Sequence, residues 1–294
     1  MTAVANKTDT TDTATRIAES IAVLPPLPVT AQKILTCFGD EFIDVDKVAE
    51  VVEGDPGICA KLLGLTNSAY FGLAEPLYNI REAIARVLGV DTVRSLVLAM
   101  AIQQSFNSKD CPGFKAERFW VDSLKVAECC KKISAMDDVA PDADRDLAYT
   151  TGLCSNLGLM ALVHLEPKRS DTVLREATAE PGTGTLARLL IDAFGTDHRV
   201  VTAELARTWS LPEPMLEAYQ CRALGEVQCV SRLGLILCAS VAAVGKSTLY
   251  LEDRGSLDKY ARPLGLRDED LWSAIDLGER QEERVLSLAS NMTR

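Results

Sequence analysis

Leu24-Pro25-Pro26-Leu27-Pro28 leads through Asp55-Pro56-Gly57-Ile58-Cys59-Ala60-Lys61-Leu62-Leu63 and Leu65-Thr66-Asn67-Ser68-Ala69-Tyr70-Phe71-Gly72 to Ile80-Arg81-Glu82-Ala83-Ile84 and Val93-Arg94-Ser95-Leu96. Apolar residues in this stretch recur at helical spacing, and its corners are well marked. Val45, Val48, Ala49 and Val52 fall at i, i+3, i+4 and i+7 behind Asp44, placed as an N-cap. Gly54 reads as a left-handed stop. Asp55 caps the next helix, and Pro56 takes its first position, where no amide donor is needed. Leu62, Leu63 and Thr66 continue the inner face of that helix. Ile80, Ala83, Ile84, Val87 and Leu88 make another stripe, ended by Gly89, and Asp91 reads as the cap of a helix carrying Val93, Leu96, Val97, Met100 and Ala101. The spacing predicts one buried cluster of Leu62, Leu63, Ile84, Val87, Leu96 and Val97. Asn67-Ser68 reads as a structural corner in which the Asn side chain satisfies backbone groups.

Working outward, the periodicity stays helical. A loop at Cys111-Pro112-Gly113 precedes a helix lined by Phe119, Trp120, Leu124, Ala127 and Ile133. Asp137 to Asp146 reads as an acidic loop, and Leu147 to His164 as a helix interrupted at Gly152 and Gly158. Leu186, Leu189, Leu190, Ala193 and Phe194 form a stripe stopped by Gly195. Thr196 or Asp197 then caps a helix carrying Val200, Val201, Leu205 and Trp209. Leu211-Pro212-Glu213-Pro214 is a break, and Met215 to Arg294 reads as further helices with a loop near 252–256. No alternating run is flanked by hairpin signals, so the fold class is all-α.

Composition narrows the function classes. Lys and Arg number 31 against 42 Asp and Glu, a formal net charge of −11, and no basic run is present. Such a chain repels phosphate backbones, so nucleic acid is not an expected partner. The nine cysteines (Cys37, Cys59, Cys111, Cys129, Cys130, Cys154, Cys221, Cys229 and Cys238) include no Cys-x-x-Cys pair. They read as small hydrophobes in a reducing, cytoplasmic setting, with Cys129-Cys130 as helix packing. The apolar run Leu233 to Gly245 is shorter than the ~20 residues a bilayer requires, so it reads as a buried helix and no membrane insertion is expected. Residues 1–16, rich in Thr, Ala and Asp, lack an apolar leader segment and read as a disordered tail. Val244-Gly245-Lys246-Ser247-Thr248 ends like a phosphate-binding loop, but Ser240 stands where glycine is required and a helical run precedes it.

Four further segments follow in order: Phe119-Trp120-Val121-Asp122-Ser123-Leu124, Gly152-Leu153-Cys154-Ser155-Asn156-Leu157-Gly158, Phe194-Gly195-Thr196-Asp197-His198 and Trp209-Ser210-Leu211-Pro212. Together with the N-terminal stretch they resemble the HDOD family, the "HD-related output domain" of bacterial signalling proteins. The resemblance runs from about Ile21 to Arg222. It implies a compact multi-helix HD-like domain over 17–222, with a C-terminal helical extension over 223–294 packed on the same core. It also implies a regulatory role in signal transduction.

Active HD enzymes hold one or two divalent metals with histidines and aspartates, and the metals activate a water. By this resemblance, Asp122 stands at the first ligand position, Ser155-Asn156 at the His-Asp dyad, and Gln220-Cys221 at a later histidine. His198 alone keeps an imidazole. Ser and Asn bind transition metals poorly beside imidazole and carboxylate. Asp122, Ser155, Asn156 and His198 are therefore expected to converge on a relic cleft without a metal, a cofactor or catalysis. Ser155 and Asn156 are expected to bond each other or water there, and His198 reads as a solvated or capping-region residue. His164 is expected to meet the last carbonyls of its helix. The expected partner is a protein of a signalling pathway. A nucleotide or other small-molecule receptor using the relic cleft, and a residual metal-dependent phosphohydrolase, are the alternatives.

Overall fold

The computed structural model describes residues 19, 26–38, 44–136, 142–179, 185–224, 231–244, 258–267, 269–271 and 278–293. The tail 1–16, the loop 252–256 and most of the Val244–Thr248 segment lie outside the described residues. All regular structure among the described residues is helical.

The N-terminal stretch folds as four short helices and a longer one. Helix α1 is Val29–Leu35, α2 is Val45–Glu53 and α3 is Pro56–Thr66; α4 is Ile80–Ala83, and α5 is Val90–Gln103. Asp44 caps α2 by accepting from the Asp46 amide, and Asp55 caps α3 by accepting from Gly57 and Ile58, with Pro56 at its first position. Gly54 departs from the left-handed reading. Its φ is −72°, and its amide bonds back to Glu50, so α2 turns directly into the Asp55 cap. The Asn67 corner is as expected: its Nδ2 donates to the Leu77 carbonyl at 2.8 Å, and its Oδ1 accepts from the Leu77 amide at 2.7 Å.

Helix α4 runs on into a wide π-turn over Ile84–Leu88, and Gly89 closes it with φ 78°. The Gly89 amide reaches back five residues to the Ile84 carbonyl. That extra residue per turn rotates the stripe. Ile84 and Leu88 are buried and Val87 is left half-buried. Leu63 is also half-buried, because α3 turns Ile58, Leu62, Leu65 and Thr66 inward. Asp91 is not a cap. Gly89 precedes α5 without a side-chain cap, and Asp91 instead accepts from the buried Arg94 at 2.6 Å. The Arg94 guanidinium also donates to the Cys37 carbonyl at 2.6 Å, fastening the end of α1 to α5.

The second block is built on α6 (Ala116–Ser134), which buries Phe119, Trp120, Leu124, Ala127 and Ile133. Helix α7 (Asp142–Cys154) packs along it, so Asp142 to Asp146 is helical rather than loop. The break after α7 falls at Ser155-Asn156, not at the glycines. Gly152 lies inside α7, and a Cβ there would stand 2.7 Å from Ala127 Cα. Gly158 lies inside α8 (Leu157–Leu165), where a Cβ would meet the His198 carbonyl at 2.1 Å. Both glycines allow helix axes to approach closely. The remaining helices are α9 (Pro167–Ala179), α10 (Thr185–Phe194), α11 (His198–Thr208), α12 (Glu213–Leu224), α13 (Arg232–Val244), α14 (Asp258–Leu264) and α15 (Gly278–Thr293). Gly195 stops α10 at φ 71°, and Asp197, not Thr196, caps α11.

The C-terminal helix α15 packs on α3 and α6. Val285, Leu288, Ala289 and Met292 are buried in that seam. Lys61 donates to the Met292 carbonyl at 2.8 Å, and the Ser68 and Ser287 hydroxyls meet at 3.0 Å. No described helix is long and apolar enough to cross a membrane. Among the described residues Cys37, Cys59, Cys111, Cys129, Cys130 and Cys154 are free thiols, and Cys221, an exception to the expectation, is disulfide-bonded. Burial pushes the Cys129 and Cys130 thiols up to about 12, which suits packing rather than redox chemistry.

Candidate functional site

The site grows from the α7–α8 break. Ser155 and Asn156 leave α7 where Gly158 lets α8 press on the first turn of α11. Thr202, one turn into α11, fastens the junction. Its hydroxyl donates to the Ser155 carbonyl at 3.3 Å and the His198 carbonyl at 2.8 Å, and accepts from the Gly158 amide at 3.0 Å. Ser155, Asn156 and His198 are thereby brought together, and all three are buried.

Arg222, on α12, reaches this junction. Its Nη1 donates to the Ser155 carbonyl at 2.7 Å and to Asn156 Oδ1 at 3.1 Å, and the residue is only 7% exposed. Arg222 lies one position beyond the Gln220-Cys221 pair singled out in the sequence. A signal was available: Met215, Ala218 and Tyr219 are the buried face of α12, and Arg222 completes their i, i+3, i+4, i+7 stripe. A guanidinium on a buried stripe requires partners, because it stays charged at any ordinary pH.

His198 is not a solvated residue. It is 4% exposed, and neither ring nitrogen has a hydrogen-bond partner among the described residues. Burial, and then the Arg222 charge, lower its pKa to about 3 against the opposing pull of Asp197. The imidazole is neutral at physiological pH. Burial works to raise the neighbouring Asp197 carboxyl, but the Arg199 bond, the neighbouring charges and the Val200 amide together outweigh it and hold the group below its usual range. The Ser155 hydroxyl and Asn156 Nδ2 are also buried without a partner among the described residues, so of the two expected arrangements, bonding each other or bonding water, the first is not formed.

Asp122 is placed differently. Gly152 on Ala127 and Lys131 over the Tyr149 ring set α6 and α7 antiparallel. Asp122 thus lies toward the end of α6 where Ser155 emerges. It is 1% exposed, and Arg118 bonds it at 3.2 Å; it makes no hydrogen bond to Ser155, Asn156 or His198. His164 lies elsewhere. Its Nδ1 accepts from the Asn107 amide at 3.1 Å, and its ring packs edge-on against Phe106, so it does not bond its helix end through that nitrogen.

The donor set does not fit a catalytic metal. Two of the four positions are neutral side chains, burial and the nearby Arg222 guanidinium keep the imidazole from charging, and the carboxylate is engaged by Arg118. Among the described residues no group of three His, Cys, Asp or Glu side chains is placed to hold an ion. The site is also closed, with every one of these side chains buried.

This architecture has known counterparts. Residues 24–223 match the HDOD domain family. The chain belongs to that family. A Treponema pallidum (strain Nichols) protein of uncharacterized function is 26% identical over 213 residues, 71% of this chain and 39% of that protein. The chain thus spans about two-fifths of that relative's length. A Marinobacter aquaeolei VT8 protein, provisionally named a signal transduction protein, superposes with a TM-score of 0.79 at 21% identity, over 98% of this chain and 67% of that one. An HDOD domain protein of unknown function from Geobacter sulfurreducens gives 0.64 at 21% identity, over 96% of each chain. A provisionally named phosphohydrolase of Shewanella amazonensis SB2B gives 0.69 at 20% identity, over 95% and 98%. At these identities the likeness is one of fold.

Proposed function

We propose that this HDOD protein acts in bacterial signalling by binding another protein, without catalysis of its own. The observation that carries the reading is Arg222. Phosphodiester hydrolysis in an HD-like site relies on metal-bound water. Here a side-chain cation donates into the Ser155–Asn156 junction where relatives place ligands. A guanidinium offers donors only, so it occupies the junction without bringing a lone pair that could bind a metal. Burial and the Arg222 guanidinium disfavour the charged form of His198, and Asp122 is engaged by Arg118. The family's place in signalling then favours a protein partner over a substrate.

A second reading has its own support. The Ser155 hydroxyl, Asn156 Nδ2 and both His198 nitrogens are buried without partners among the described residues, and natural proteins rarely leave such groups unmatched. A small polar guest bound without turnover would match them.

Assays with nucleotides, cyclic dinucleotides and model phosphodiesters, with Mn²⁺ or Mg²⁺ added, are expected to show no turnover. Turnover that disappears in His198→Ala overturns the non-catalytic reading. Crosslinking of the full chain in its native host is expected to trap one specific protein; finding none contradicts the partner half of the proposal.

A further inference from the structure

A surface cleft opens between the loop that enters α6 and the flank of α9. It is a shallow depression, and its space of about 380 Å³ includes open solvent. Phe114, Leu174 and Ala177 form apolar walls, and Lys115 and Arg118 bring two cations to the lining. This is notable in a chain of net charge −11.

Neither cation is fully committed. The Lys115 ammonium donates to the Pro112 carbonyl at 2.9 Å, a neutral acceptor, and forms no ion pair among the described residues, although its charge also acts on the Asp171 carboxylate. Arg118 uses Nε on Asp122, leaving both Nη groups without a partner among the described residues. The frame is firm. The Gly113 amide donates to the Asp171 carboxylate, and a Cβ at Gly113 would lie 2.9 Å from Asp171 Oδ1. Arg175 holds that carboxylate at 2.7 Å, so Asp171 is already paired. No side chain caps the start of α6, so its first-turn amides add positive potential to that of the two cations, partly offset by Glu117.

We propose that this cleft is a receptor site for a phosphate monoester carrying a small apolar group. Two Nη groups and an ammonium offer more N–H donors than a planar carboxylate can accept, whereas a tetrahedral dianion matches both their number and their charge. The apolar walls would take the ester group. Through Arg118, which bridges the cleft and the buried Asp122, occupancy would be felt at the end of α6 beside the relic cluster. The site does not depend on whether the protein is catalytic.

The test is calorimetric titration of the full chain with phenylphosphonate, a non-hydrolysable stand-in for an aryl phosphate, so that any turnover cannot confuse the result. Saturable binding is expected, with one equivalent per chain. Affinity should fall about tenfold in Lys115→Gln, the loss of one charge-assisted contact, and should weaken with added salt. Benzoate, with the same ring on a carboxylate, should bind more weakly. No saturable binding, or an unchanged affinity in Lys115→Gln, overturns the site. Benzoate binding as tightly as the phosphonate overturns the ligand class. Lys115 is exposed, so this variant is expected to fold.

Discussion

Gly158→Ala examines the helix junction on which the Arg222 cluster is built. The new methyl would stand 2.1 Å from the His198 carbonyl oxygen and 2.6 Å from the Thr202 amide nitrogen. Ordinary contact begins near 3.4 Å, so α8 and α11 must separate by more than an ångström. Both obstacles are backbone atoms and cannot swing aside. Overpacking of this kind costs about 1–3 kcal/mol, and the backbone contacts put the change at the upper end. Losing the bond from the Gly158 amide to Thr202 adds about 1 kcal/mol. The gain in helix propensity from Gly to Ala returns about 1 kcal/mol. The net is a loss of about 3 kcal/mol, equivalent in a chain of this size to roughly 6–12 °C in Tm. Gly64→Ala is the control. It lies inside α3, and its methyl would meet Asn291 Oδ1 at an ordinary 3.6 Å, so it should stabilise by roughly 0.5–1 kcal/mol. Calorimetry on both variants decides the matter. A Gly158→Ala protein as stable as wild type, or a Gly64→Ala protein falling as far, refutes the close packing.

Three further outcomes follow from the same geometry. His198 is held neutral when folded, with a pKa of about 3 against an ordinary 6.5. The unfolded chain therefore takes up a proton that the folded one refuses, so stability is full above pH 6.5 and falls as pH drops toward 3. Denaturant midpoints should fall more steeply over that window for wild type than for His198→Gln; parallel curves would contradict the burial. Asn67→Ala removes both bonds to Leu77 and should cost about 1–3 kcal/mol in urea unfolding; no change would mean that the corner is held otherwise. Leu62→Ala, at a fully buried position, should cost about 2–5 kcal/mol, and Leu63→Ala clearly less; equal costs would put the α3 face in the wrong place.

The helices were legible because capping and spacing act locally. Asp44, Asp55 with Pro56, and Asp197 each sit beside the amides they satisfy, so their roles can be read from neighbours alone. The errors arose where a distant element decided. Gly152 and Gly158 looked like helix breakers, because sequence does not reveal that Ala127 and His198 press against them. The π-turn over Ile84–Leu88 moved Val87 off the buried face without any local mark. His198 looked solvated, because its position at a helix start says nothing about what α12 brings to it. Arg222 has no counterpart among ligand positions, so a pattern of metal ligands does not point to it. What mattered at this junction was a residue that carries a charge of its own.

The central claim is that this site, with its internal cation, does not hold a catalytic metal. Its most direct test is elemental analysis of the full chain, purified from Mn- and Fe-supplemented medium without chelators. The account predicts Mn, Fe, Zn and Mg all far below one per chain, with no difference between wild type and His198→Ala. Close to one metal per chain, lost in His198→Ala, would contradict it.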